Sequence, residues 1–153
     1  MNLTAVLTLL DQAEQDLATG FRTAAEGHAE EPDIHDICHN LAAQCEGRRV
    51  ALAPLRERYG STDTGGAADR LGTRVLSEAR PGPLGLLRDL QDLYVQAAFA
   101  ELTWDLLQQA GAALHDRDML AVSQRCAREA SIQQGWLRTR SKQAAPQTLV
   151  LAR

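Results

Sequence analysis

Lysine is almost missing from this chain, since Lys142 is the single lysine among its 16 basic residues. The other basic residues are arginines, and 20 acidic residues outnumber them, which gives a formal net charge of −4. A protein with this balance has no overall positive field to attract nucleic acid. We therefore expect no nucleic-acid partner.

Long apolar runs are also missing, because no segment approaches the ~18 residues that a transmembrane helix requires. The first segment, MNLTAVLTLLDQAEQDL, soon reaches Asp11 and Glu14 and has no basic start, unlike a secretory signal peptide. The three cysteines are an odd number and show no disulfide framework. The sequence thus predicts a cytoplasmic protein with no membrane partner.

The familiar short motifs of catalysis and phosphate binding are absent as well. We find no nucleophile elbow, no Ser-His-Asp order and no glycine-rich phosphate loop. Gly65 and Gly66 are not followed by the Lys-Ser or Lys-Thr pair that a phosphate loop needs, so they indicate a linker. The sequence favours a protein that is not an enzyme.

What the chain does contain is four long stripes of apolar residues, spaced alternately three and four apart. They extend over Leu3–His28, Ile34–Tyr59, Leu86–Leu114 and Met119–Trp136. This spacing places each stripe on one face of an α-helix, and no segment alternates as a strand does. The sequence therefore predicts an all-α fold with four helices, in a single domain that covers residues 1–153.

The connections predict how these helices pair. About six residues join the first two helices and about four join the last two, so each pair is expected to form an antiparallel hairpin. The connection at about 60–83 is much longer, with room for a short helix near residues 67–79. It can cross a bundle whose helices are about 38 Å long. We also expect a tail, at about 142–153, that docks on the bundle or on a partner.

Each predicted helix carries a glutamate near its middle, and these residues are Glu14, Glu46, Glu101 and Glu129. Glu14 and Glu129 interrupt the apolar stripes themselves, whereas the other two lie one position beside a stripe. A buried carboxylate is costly unless it is paired or binds a metal. The two glutamates within the stripes therefore require a partner.

Two hairpins, a long crossover and four mid-helix glutamates make the chain similar to the ferritin-like superfamily of helical bundles, especially its small bacterial members. The resemblance covers residues 3–140. In that superfamily, a di-iron site takes one Glu from each of two helices and Glu-x-x-His from each of the other two. The resemblance implies a site for iron or manganese formed by Glu14, Glu46, Glu101 and Glu129.

Both histidines of this ligand pattern are missing. Arg49 stands where a histidine would follow Glu46, and Ile132 and Gln133 stand where one would follow the last glutamate. Arginine stays protonated and cannot ligate a metal, but it can hydrogen-bond carboxylates with two nitrogens at once. We therefore predict that Arg48 or Arg49 fills the space of the metal, in a bundle with a degenerate di-iron site and no cofactor.

Two alternatives for the glutamates stay open. Glutamate is a strong helix former, so all four can be solvated residues at the edges of the helices. They can also form a working di-metal site, which predicts an oxidase or a metal-storage relative. The degenerate site instead predicts a non-catalytic bundle that acts through protein–protein contacts, as a homodimer or with another protein.

The segment HDICHNLAAQC, at residues 35–45, contains a weaker candidate metal site at the surface. His35 and His39 lie four residues apart, so they share one face of a helix. His28, together with Glu30, Glu31 or Asp36, can complete a ligand set. The alternative is that these are ordinary polar residues at the start of a helix.

Cys38 and Cys45 belong to the same segment and lie seven residues apart. That spacing separates them by about 10 Å along a helix, which is too far for a disulfide. Both are on the apolar stripe, as is Cys126. We expect small buried core residues, with a reactive thiol as the alternative.

Overall fold

The computed structural model describes residues 2–60 and 75–151, and these residues form four long α-helices and no strand. The helices are α1 (Leu3–Gly27), α2 (Pro32–Tyr59), α3 (Gly82–Leu114) and α4 (Arg117–Pro146), followed by a π-helical turn, Gln147–Leu151. The prediction of an all-α fold with four helices is confirmed.

The helices pack side by side, so that α1 contacts α2 and α3, while α4 contacts α3 and α2. Neighbouring helices run in opposite directions. At the start of α1, the Thr4 hydroxyl donates to the carbonyl of Tyr59 at the end of α2, at 3.1 Å. At the far end of α4, Arg138 donates to the hydroxyl of Tyr94 in the first half of α3.

Short connections fix these pairs. Only His115 and Asp116 lie between α3 and α4. His115 adopts the left-handed conformation, with φ of 53°, which ends α3. The Asp116 carboxylate then accepts a hydrogen bond from the backbone nitrogen of Met119 at 3.0 Å and so caps the start of α4.

A polar layer divides the core of the bundle into two apolar clusters. On α1, Leu10 belongs to one cluster and Leu17 to the other, and the fully buried Glu14 lies between them. On α2, the buried Arg48 has the same intermediate position. The layer that interrupts the apolar stripes therefore lies near the middle of the bundle.

Two segments differ from the sequence-based prediction, namely the end of α4 and the described part of the connection between α2 and α3. The last helix continues to Pro146, past residue 142, where we expected a tail to begin. The proline removes one helical hydrogen bond, and the chain continues directly into the wider π-helical turn. Of the predicted short helix at 67–79, residues 75–79 are not helical, and the rest lies outside the described residues.

None of the described helices combines the length and apolarity needed to cross a membrane.

Candidate functional site

Arg48 of α2 lies at the centre of the polar layer, with 1% of its side chain exposed. Its Nε and Nη2 donate to the two carboxylate oxygens of Glu14 in α1, at 2.8 and 2.9 Å. Its Nη1 donates to Oε1 of Glu129 in α4 at 2.8 Å, and Nη2 also donates to Oε1 of Gln133 at 2.7 Å. Every nitrogen of the guanidinium group therefore has an acceptor.

The helix α3 completes this layer through Trp104. The fully buried indole donates from Nε1 to Oε1 of Glu14 at 2.8 Å. Gln133 is held by its own amide, which donates to the carbonyl of Leu41 at 3.2 Å and to Oε1 of Gln44 at 3.0 Å. All four helices thus contribute to one hydrogen-bonded network around the guanidinium group.

The electrostatics of the network keep Arg48 charged. Burial alone would lower the pKa of the guanidinium group, but the charge of Glu14 and its hydrogen bonds outweigh that effect and raise this pKa. The positive charge of Arg48 forms an ion pair with Glu14, which is fully buried, and a second ion pair with Glu129, which is only partly buried. Such a pair is stable inside a protein because hydrogen bonds satisfy both partners.

Glu46 and Arg49 lie outside this network, in a second group at the edge of α1 and α2. The Nε of Arg49 donates to Oδ1 of Asp11 at 3.0 Å, and its Nη1 donates to Oε2 of Glu46 at 3.1 Å. The hydrogen bond to Asp11 is the main cause of a raised pKa at Arg49. Glu46 also accepts from Arg22 at 3.3 Å. Both predicted residues are therefore engaged at the surface, although they are neighbours of Arg48.

Glu101 lies apart from both groups. It lines a groove between α3 and α4 together with Asp105, Gln108 and Arg128. The structure thus brings together Glu14, Arg48, Glu129 and Gln133 and separates them from Glu46, Arg49 and Glu101.

Neither Trp104 of the interior network nor Asp11 of the group at the edge of α1 and α2 is among the predicted site residues. For Trp104, the signal is that a buried indole N–H needs an acceptor, and the glutamate on the facing stripe can supply one. Asp11 received no role, although it lies one turn before Glu14 on α1. Its position at the edge of the apolar stripe is the signal for a partner at the surface.

The histidines fall into two separate places. His28 is buried, and its Nε2 lies 2.7 Å from Oδ2 of Asp89, so it takes no part in a surface site. His35 and His39 face the end of α1, where Glu26 supplies a carboxylate. Their ligand atoms and a carboxylate oxygen of Glu26 all lie within 4.8 Å of one another. In the described part of the chain, Glu26, His35 and His39 are the group of His, Cys, Asp or Glu side chains that lie close enough together to hold a metal ion.

The three cysteines are free and buried. Burial raises the pKa of the Cys38 thiol to about 12, and it raises the pKa of Cys45 and Cys126 as well. Since the thiolate is the nucleophile, this environment favours thiols that act as small core residues.

Comparison with known protein families, with curated proteins and with solved structures finds no match to this chain. The ferritin-like resemblance therefore stays a prediction. What the chain can do chemically follows from the geometry of its own residues.

Proposed function

We propose that this protein is a non-catalytic, ferritin-like helical bundle whose metal position is filled by Arg48 and which acts through self-association. The observation that carries the first part is the bidentate contact of Arg48 with the fully buried Glu14 at the centre of the bundle. The second part is supported by an exposed apolar stripe on α3.

The directions of the helices support a ferritin-like topology. Asp89, near the start of α3, contacts His28, just after the end of α1. Asp33, near the start of α2, pairs with Arg140, near the end of α4. Because α2 and α3 begin at the same end of the bundle, the connection between them joins opposite ends of it. A connection of this kind between two hairpins is typical of ferritin-like bundles.

The role of Arg48 follows from the charges that surround it. A metal ion between mid-helix carboxylates supplies the positive charge that makes their burial possible. Arg48 supplies a positive charge to Glu14 and Glu129, with a hydrogen bond to each carboxylate. Because the guanidinium group stays protonated, it binds no metal and leaves no lone pair toward one.

Removing the arginine tests this proposal. In a background of His35→Ala and His39→Ala, we expect Mn²⁺ to leave the melting temperature unchanged when Arg48 is present. The additional change Arg48→Ala should lower the melting temperature, and Mn²⁺ should restore part of the loss by replacing the missing charge. A matched control that also carries Glu14→Gln should show no such rescue.

The competing function is a carboxylate-bridged di-metal protein, an oxidase or a metal-storage relative that holds iron or manganese. It predicts that Mn²⁺ or Fe²⁺ stabilises the chain with Arg48 in place. Stabilisation of this kind, or the absence of rescue in the Arg48→Ala variant, would overturn the metal-replacement proposal.

Self-association is supported by the outer face of α3. Leu84, Val95, Leu102 and Leu106 are each more than half exposed. At 100° per residue they fall within about 20° of one line, and the core residues of α3 lie on the opposite face. A helix with apolar residues on both faces typically buries both of them, so this second stripe supports the proposal of a partner on α3.

Charge favours a second copy of this chain as that partner. Level with Val95, midway along the stripe, Arg138 and Lys142 line a groove between α3 and α4. About two helical turns further along α3, Glu101, Asp105 and Arg128 line a second groove between the same helices. A copy turned end for end about a two-fold axis between these two levels places the basic groove of each copy near the carboxylates of the other.

Disruption of the stripe tests this interface. We expect the chain to be a dimer in sedimentation experiments at micromolar concentration, and Leu102→Glu to shift it to a monomer because the new charge would be buried. The matched control is Val50→Glu, which changes an exposed valine of α2 and should leave the dimer intact. A wild-type monomer, or equal effects of both changes, would contradict the proposal.

A cytoplasmic location is also proposed, in keeping with three free cysteines.

A further inference from the structure

We propose that Glu26, His35 and His39 form a surface site for one divalent transition-metal ion of the Zn²⁺ class, located where α1 turns into α2. The site is independent of the interior network, because it uses none of its residues. Its ligands come from two helices, so the ion would link the end of α1 to the start of α2.

The ligand atoms lie close to the spacing that such an ion requires. The Nε2 of His39 lies 2.7 Å from Oε1 of Glu26, and the Nε2 of His35 lies 3.9 Å from the same oxygen. In a tetrahedral zinc site with bonds of 2.0–2.1 Å, two ligand atoms are about 3.3 Å apart. The two observed distances lie on either side of this value, so rotations of side chains suffice.

A carboxylate also orients one of the imidazoles. The Nδ1 of His35 lies 3.0 Å from Oδ1 of Asp36, while its Nε2 points toward Glu26. Metal-binding histidines typically donate their second nitrogen to a carboxylate, which fixes the tautomer and strengthens the ligand. This contact leaves the lone pair of Nε2 for the ion. Asp36 is therefore proposed as a positioning residue rather than as a ligand.

The donor set indicates the class of the ion. Two imidazoles and one carboxylate suit Zn²⁺ and its neighbours among the first-row metals better than Ca²⁺ or Mg²⁺, which prefer oxygen ligands. Glu26 is exposed and both histidines are partly exposed, so water can complete the coordination. In the part of the chain that the structure describes, Glu26, His35 and His39 have no hydrogen bond or ion pair to an arginine or lysine that would supply the positive charge in place of an ion.

Titration of the untagged full chain with Zn²⁺ tests this site, with binding measured by calorimetry. We expect one ion per chain. Removing one ligand, by His35→Ala, His39→Ala or Glu26→Gln, should weaken binding by more than about 10-fold, and Asp36→Asn should weaken it by about 10-fold.

The matched control is His115→Asn, which changes the exposed histidine between α3 and α4 and keeps a residue that tolerates the left-handed conformation. It should bind Zn²⁺ as the wild type does. A second measurement is the melting temperature, which a free Zn²⁺ concentration of 100 times the Kd should raise by roughly 5–10 °C. The rise should be absent in the His35→Ala/His39→Ala double variant.

No binding by the wild type, or equal binding by the wild type and the double variant, would overturn the proposal. These outcomes are separate from those for Arg48, because the Mn²⁺ experiments on the interior network use a background that lacks both histidines. Loss of the surface site would therefore leave the interior proposal standing, and the reverse holds as well.

Discussion

Two clusters of carboxylate and imidazole side chains in this bundle differ in whether a cation of the chain itself neutralises the carboxylates. In the interior, the carboxylates of Glu14 and Glu129 share a guanidinium group that belongs to the chain itself. Where α1 turns into α2, Glu26, His35 and His39 converge, and no arginine or lysine among the described residues pairs with them. Burial therefore decides which cluster has to carry its own positive charge.

Arg48 and Arg49 show the same contrast at adjacent positions. The side chain of Arg48 is 1% exposed and bonds a buried carboxylate, whereas that of Arg49 is 28% exposed and bonds carboxylates at the edge of the bundle. A buried ion pair that loses one partner leaves an uncompensated charge, whereas an exposed pair loses little. Substitutions at these two positions therefore test whether burial determines the strength of each ion pair.

The largest effect is expected for Arg48→Met, which keeps the length of the side chain and removes its charge. Since Glu14 would stay buried without its main partner, we expect the free energy of unfolding to fall by about 3–5 kcal/mol. Urea unfolding followed by circular dichroism measures this change. The double variant Glu14→Gln/Arg48→Met should recover part of the loss. A loss of less than about 1 kcal/mol would indicate that the interior pair behaves like a surface pair.

An intermediate effect is expected for Trp104→Phe, because it removes the indole that donates to Glu14. We expect a loss of about 2 kcal/mol, which combines the missing hydrogen bond with a smaller side chain. The matched control is Trp136→Phe, since Trp136 is only partly buried beside the other apolar cluster. If the control were the more destabilising of the two, the hydrogen bond to Glu14 would not be a major stabilising contact.

A smaller effect, which depends on pH, is expected for Asp116→Ala at the start of α4. Loss of the helix cap should cost about 1 kcal/mol at pH 7. The hydrogen bond from Met119, followed by that from Tyr59, lowers the pKa of Asp116 to about 2. This stabilisation is therefore complete above the ordinary value of 3.8 and is lost as the pH falls toward 2.

Unfolding of the Asp116→Ala variant and the wild type across this pH range checks the expectation. Their difference in free energy should shrink as the pH falls from 4 toward 2, because protonation removes the charge that the cap provides. The control Asp118→Ala changes an exposed neighbour. A difference that stays constant down to pH 2 would contradict the assigned role.

The smallest effect is expected for Arg49→Met. Because its partners Asp11 and Glu46 are in contact with solvent, we expect a loss of less than about 1 kcal/mol that decreases further at high salt. Urea unfolding at low and high ionic strength measures it. A loss as large as that for Arg48→Met would remove the contrast between the two arginines.

The sequence predicts the helices and part of the interior network for one physical reason. The apolar stripes define which face of each helix is buried, so the glutamates on a stripe, Glu14 and Glu129, were expected to need a partner. Glu46 and Glu101, one position beside a stripe, are on the edges of the bundle instead. Arg48 lies on the stripe of α2, and Arg49 does not, so the periodicity distinguishes them better than the spacing of a ligand motif.

The other contacts depend on how separate helices meet, which periodicity within one helix does not determine. The approach of Glu26 to His35 and His39 requires the turn between α1 and α2 and the angle of that hairpin. The burial of His28 against Asp89 depends on the packing of α1 on α3 in the same way. The residues of each pair lie on different elements and have no local pattern that identifies them.

Metal analysis of the His35→Ala/His39→Ala variant, produced in medium rich in iron and manganese, tests the replacement of a metal by Arg48 most directly. With the surface ligands removed, any bound metal would have to lie in the interior of the bundle. If Arg48 replaces the metal, the purified protein should contain essentially no bound iron or manganese. About two ions per chain, as in a di-iron bundle, would contradict it.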